Sequence, residues 1–68
     1  MRLADPITAR TGTFLKSFDI GEYKNMLVYC EQTEKAMKRN NIPGEIVFTK
    51  ILAKKGKNDT WQVFLLQK

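Results

Sequence analysis

Lys54, Lys55 and Lys57 fall within four residues of one another, with Gly56 among them and Trp61 four residues further on. Ammonium groups at this density neutralise phosphate oxygens and displace condensed counterions, giving an affinity that falls as salt rises. Lysines on a turn do this without reading sequence, because phosphate contacts position a protein whereas base contacts specify. Lys50, Lys16 and Arg10 are further candidates for the same contacts. Trp61, Phe48 and Phe64 could offer ring faces for bases beside those lysines. Each feature also has a plainer reading. A charged turn keeps strand edges from pairing with other chains, and strand aromatics pack into a core or a subunit interface.

Other chemistries find little support. The chain has no histidine and a single cysteine, so neither a metal site nor an internal disulfide is expected. Cys30 falls on the apolar face of a helix and reads as a packing residue. Gly56-Lys57 lacks the upstream glycine and the Ser/Thr of a phosphate-binding loop. Asp19 and Glu22 are accounted for by helix capping, and the remaining carboxylates are scattered, with no pair placed for acid–base work. No catalytic residue, cofactor or enzymatic activity is therefore expected. The glycine- and aromatic-rich run that marks one common RNA-binding module is missing from the last strand.

Charge is unevenly distributed along the 68 residues. Residues 1–34 carry four basic groups (Arg2, Arg10, Lys16, Lys24) against five acidic ones, a net of −1, whereas residues 35–68 carry eight against two, a net of +6. This asymmetry points to an anionic partner. No signal-peptide core is visible near residue 1, and no stretch approaches the ~20 apolar residues of a membrane span. With its lone cysteine, the chain is expected to be cytoplasmic and to have no membrane partner.

The elements that must position these residues are readable from periodicity. Residues 1–10 show none, and Pro6 disfavours helix at Asp5, so an irregular lead-in is expected there. TGTFLKSF (11–18) reads as a strand. Asp19 as N-cap with Glu22 three residues on resembles a capping box, and Phe18 and Tyr23 have the spacing of a hydrophobic staple. A helix over about 20–40 follows, with Tyr23, Met26, Leu27, Cys30, Thr33 and Met37 on one face. NNIPG (40–44) ends it. EIVFTKILA (45–53) and TWQVFLLQ (60–67) are β-branched and aromatic and flank Gly56 and Asn58-Asp59, which predicts a hairpin with a three- to five-residue loop.

The predicted fold is α+β, a single β-α-β-β domain over 11–68. Its sheet is three-stranded and antiparallel, in the order first–third–second, with one helix on one face. The layout resembles, in topology alone, a ferredoxin-like fold lacking its second helix and fourth strand.

One helix covers one sheet face, yet both faces of these strands are apolar. In the second strand Ile46, Phe48 and Leu52 point one way and Val47, Ile51 and Ala53 the other. The third strand puts Trp61, Val63 and Leu65 on one side and Phe64 and Leu66 on the other. In the first, Phe14 and Phe18 share a face opposite Leu15 by simple alternation. Leaving several such side chains wet forgoes roughly 1.5–3 kcal/mol each. The surplus surface predicts a cover, which a second copy of the chain, the N-terminal segment through Leu3 and Ile7, a protein partner or stacked nucleobases could supply. Phe48, Trp61, Phe64 and Leu66 are then interface residues of a homodimer or of a docking face.

Three functions are compatible with these features. The first is a small basic accessory protein that grips nucleic-acid backbone through the lysine hairpin as a homodimer. The second is an interaction module or inhibitor of phage or mobile-element type, docking a host protein through the apolar face. The third is an oligomer with a basic pocket for an anionic small molecule.

Overall fold

The computed structural model describes residues 1–67. Its least periodic stretch turns out to be ordered by a cap. Asp5 is extended, and its carboxylate accepts from the Thr8 N–H and the Thr8 hydroxyl, both at 2.9 Å. Pro6 then occupies the first helical position, where its missing N–H costs nothing and its fixed φ suits the helix. The result is a one-turn helix, α1 (Pro6–Ala9). Ahead of it, β1 (Arg2–Leu3) pairs in parallel with the strand Glu45–Ile51 at Val47 and Phe48, and the Ala4 N–H extends the pairing to the Phe48 carbonyl at 2.9 Å. Arg2 Nε donates to Glu45 at 3.1 Å across the same seam. The expectation of an irregular lead-in is therefore corrected. Proline excludes helix before itself but favours one that starts on it.

The remaining strands are β2 (Thr13–Asp19), β3 (Glu45–Ile51) and β4 (Thr60–Leu66), and the sheet order is β1-β3-β4-β2. β4 lies between β2 and β3, antiparallel to both. The fold is α+β with one long helix on the sheet, but the sheet is four-stranded and mixed rather than three-stranded and antiparallel, because β1 adds a parallel edge. The hairpin also differs from expectation. β3 stops at Ile51 and residues 52–59 form a longer loop, since the Ala53 N–H leaves the ladder to donate to the Asp59 carboxylate at 2.9 Å.

β2 breaks its own alternation. The register against β4 shifts between Phe14, opposite Phe64, and Lys16, opposite Val63, leaving Leu15 as an extra residue. Such a bulge turns the residues beyond it to the other face. Phe14 thus meets Phe64 edge-on at 5.6 Å, while Phe18, on the opposite face, packs against Tyr29 at the same separation.

Helix α2 (Tyr23–Arg39) follows a single 3₁₀ turn, Ile20–Glu22. The Glu22 carboxylate accepts from the Asp19 N–H at 3.3 Å, the return half of a capping box. Its far end is closed by a Schellman motif. The Ile42 N–H reaches the Met37 carbonyl at 2.9 Å and the Asn41 N–H reaches Lys38 at 3.2 Å, with Asn41 left-handed at φ 54°. Between these ends Met26, Cys30 and Met37 are buried against Phe18, Ile46, Phe48 and Val63.

A second, smaller core lies on the other face. Ala4 and Ala9 are buried against Val47 and Phe64, with Leu66 packed beside them. Alanines allow the β1–α1 segment to lie close on the sheet. The surface expected to be surplus is in this way covered by the chain itself.

Candidate functional site

The loop 52–59 carries the lysines at one end of the sheet. Within it the Lys57 N–H donates to the Lys54 carbonyl at 3.0 Å, and Gly56 stands at φ 88°. These are the features of a type II turn, which requires positive φ at its third residue and so selects glycine there. Lys54, Lys55 and Lys57 are all exposed, and no ion pair among the described residues engages any of them. Leu52 stands beside them at 76% exposure.

The base of the loop is fixed in four ways. Asp59 accepts from the Ala53 N–H through its carboxylate, and its backbone carbonyl accepts from the Ile20 N–H at 3.1 Å. Its other carboxylate oxygen lies 3.9 Å from Lys50 Nζ. Trp61 Nε1 donates to the Ile20 carbonyl at 3.1 Å. The loop is thereby tied to the segment that leads into α2, so the start of α2 and the lysine turn share one end of the molecule.

At that end three rings meet. Tyr23 lies 5.2 Å from Trp61 and 6.2 Å from Phe48, and Trp61 lies 5.8 Å from Phe48. Phe48 is buried, Trp61 half-buried, and Tyr23 is 41% exposed. Lys50 is the cross-strand partner of Trp61 and shares its face.

The six expected phosphate contacts are not gathered into one patch. Lys54, Lys55, Lys57 and Lys50 belong to the loop and its base. Lys16 lies on β2, its Nζ 5.1 Å and 5.6 Å from the ring centroids of Phe18 and Tyr29, a cation–π position. Arg10 is two residues from Gly12, where an added Cβ would collide with the Leu65 carbonyl. Thr60, at the loop, is roughly 17 Å from Leu65 along β4 at 3.4 Å per residue, so Arg10 belongs to the opposite end.

The expected interface residues are likewise separated. Phe48 (8% exposed) and Phe64 (5%) are buried on opposite faces, Leu66 is half-buried with Phe64, and Trp61 packs beneath Tyr23. They form no common surface, which corrects that grouping. Tyr23 is the residue that sequence reasoning left with the core. Its place in the first turn of α2, at the end where the hairpin turns, was the available signal.

The other groups are structural in placement. Cys30 is fully buried, and burial together with the nearby Glu34 carboxylate pushes its thiol pKa up, away from the reactive thiolate. A shallow pocket of about 90 Å³ between Glu34, Met37, Lys38 and Ile42 is far below the ~300–1,000 Å³ of ligand sites. Among the described residues no three His, Cys, Asp or Glu side chains are grouped as metal ligands, and no helix is long and apolar enough to cross a membrane.

No protein-family model matches the chain, and comparisons with curated proteins and with solved structures give no significant match.

Proposed function

We propose that this protein binds the phosphate backbone of nucleic acid through the 52–59 loop, with Lys54, Lys55 and Lys57 as the contacts and Lys50 at their base, in a binding rather than a catalytic role. The observation that supports this is the set of uncompensated ammonium groups on a single turn. The acidic group in the same loop, Asp59, is engaged with Lys50 and the Ala53 N–H. Three like charges held this close repel one another, and an anion with several negative oxygens relieves that repulsion.

The reading uses one copy of the chain, because the apolar surface that called for a dimer is covered by α1. Docking of a host protein through an apolar sheet face has correspondingly less to rest on. The large exposed apolar side chains, among them Leu3, Ile7, Phe14, Val28, Ile42 and Leu52, are spread over different segments.

Fluorescence anisotropy with a labelled 30-nucleotide DNA tests the proposal. On a single strand, three or four phosphate contacts give a fall in affinity of roughly 20- to 50-fold between 50 and 200 mM salt. Changing Lys54, Lys55 and Lys57 together to Gln should abolish most of the binding and flatten the salt dependence. Absence of any complex at 50 mM salt would overturn it.

A further inference from the structure

We infer that the site takes a single strand, with an unpaired base stacked on the open face of Tyr23. This rests on the phosphate-binding reading above and specifies its ligand.

The inference comes from the geometry around Trp61. Tyr23 packs at a tilt of 51° against Trp61, 5.2 Å between centroids, and edge-on to Phe48 at 6.2 Å, yet keeps 41% of its residue surface in water. Of the other aromatics on the helix-covered side, Phe18 and Phe48 are buried and Tyr29 and Trp61 half-buried, so Tyr23 is the most exposed ring there. Beneath Tyr23, Trp61 is held by its hydrogen bond to the Ile20 carbonyl, so the pair is a rigid ledge rather than a loose side chain. Lys50 flanks the ledge as the partner of Trp61 across the β3–β4 ladder. Lys54 is three residues beyond Ile51, hence within about 11 Å of chain reach of the strand end.

A backbone lying on the loop lysines therefore passes beside an aromatic face. In a duplex the faces of the bases are occupied by their neighbours, so only an unpaired base can use such a ledge. Basic tracks flanked by aromatic rings suit single strands for this reason, and every base presents a π-face, so sequence matters little. The ledge reads neither the 2′-hydroxyl nor its absence, so DNA and RNA strands are equivalent ligands.

The chain contains one tryptophan, so its fluorescence reports from within the ledge. The experiment titrates a dT 15-mer, a U 15-mer and a 15-base-pair duplex at 50 mM salt, following both anisotropy and Trp61 emission. Both single strands should bind more tightly than the duplex and quench Trp61, whereas the duplex should leave it unchanged. Tyr23→Ala should weaken single-strand binding on the order of tenfold without altering duplex binding, and Tyr23→Phe should retain it. Tyr23→Leu, which keeps an apolar contact with Trp61 but has no ring, serves if the alanine variant fails to fold, as judged by circular dichroism. Equal affinity for all three ligands, untouched by Tyr23→Ala, would overturn the stacking role and leave the phosphate reading standing. No binding of any ligand would remove both.

Discussion

Val47 and Phe64 face each other across the β3–β4 ladder, and both are buried, at 0% and 5% exposure, beneath Ala4 and Ala9. This pair closes the sheet face that α2 does not reach. The closure depends on Asp5 and Pro6, which turn the chain directly after Ala4 so that Ala9 returns over β4. A short domain buries only about 60% of its unfolded surface, so a second small core is a material share of its stability. It also covers Val47 and Phe64, two of the apolar strand residues that favour association, while Phe14 on the same face stays 53% exposed.

Truncating Phe64 should therefore unfold the protein rather than dissolve an assembly. Phe64→Ala removes a ring that touches Phe14 and the Ala4–Ala9 layer, and substitutions of this kind cost about 3–5 kcal/mol. Urea denaturation should show that loss. Light scattering of the unaltered protein at micromolar concentration should give the mass of a single chain. A dimer whose dissociation accompanies Phe64→Ala would contradict this account.

Gly12 is predicted to be intolerant of any side chain. A Cβ there would collide with the Leu65 carbonyl and come within 2.7 Å of the Leu66 side chain, in a place where the obstacle is backbone. The connection between α1 and β2 passes directly over the end of β4. Gly12→Ala should cost about 1–3 kcal/mol through this overpacking. Gly56→Ala, at a positive φ but facing open space, should cost less, and comparing their thermal melts separates steric collision from backbone strain.

How much of this was legible in the sequence follows from which signals are periodic. α2 announced itself through Asp19, Glu22 and the spacing of Met26, Cys30 and Met37, and β3 and β4 through their β-branched runs, because many residues repeat the same message. α1 is one turn long and β1 two residues, too short for any period, and only the Asp5-Pro6 pair marked them. Simple alternation puts Phe14 on the wrong face because it holds only until a bulge, and the bulge at Leu15 exists through pairing with β4. The lysine turn was visible as chemistry, but Tyr23 joined it only once the register placed Trp61 beside Lys50. Arg10 and Lys16 counted as basic residues without any indication that the fold sends them elsewhere.

Asp5 gives the N-terminal layer a pH dependence with a defined sign. Hydrogen bonds from the Thr8 backbone and then the Thr8 hydroxyl hold its carboxyl below its ordinary value of 3.8. The ionised form thus favours the folded state. Its contribution is complete above the unfolded-state value near 3.8 and is lost as pH falls through the lower folded value. Asp5→Asn keeps an acceptor for the Thr8 N–H but cannot titrate. Denaturation curves of the two proteins between pH 5 and pH 2.5 should converge as the pH falls, and parallel curves would show that ionisation of Asp5 contributes nothing to the fold beyond the acceptor that asparagine also supplies.

Asp59→Asn should strengthen binding by the loop. Its carboxylate does two separable things, accepting from the Ala53 N–H at 2.9 Å and drawing on Lys50 at 3.9 Å. Asparagine preserves the first through its amide oxygen and abolishes the second, which frees Lys50 and raises the net charge of the protein from +5 by one. One more phosphate contact on a single strand steepens the salt dependence by about 0.7 in log–log slope, a further factor of roughly 2.6 in affinity between 200 and 50 mM salt. The gain should be largest at low salt and should vanish when Lys50→Gln is added to the same variant. Unchanged affinity in a variant with an unchanged melting temperature would mean that Lys50 and its loop stand apart from the bound phosphates.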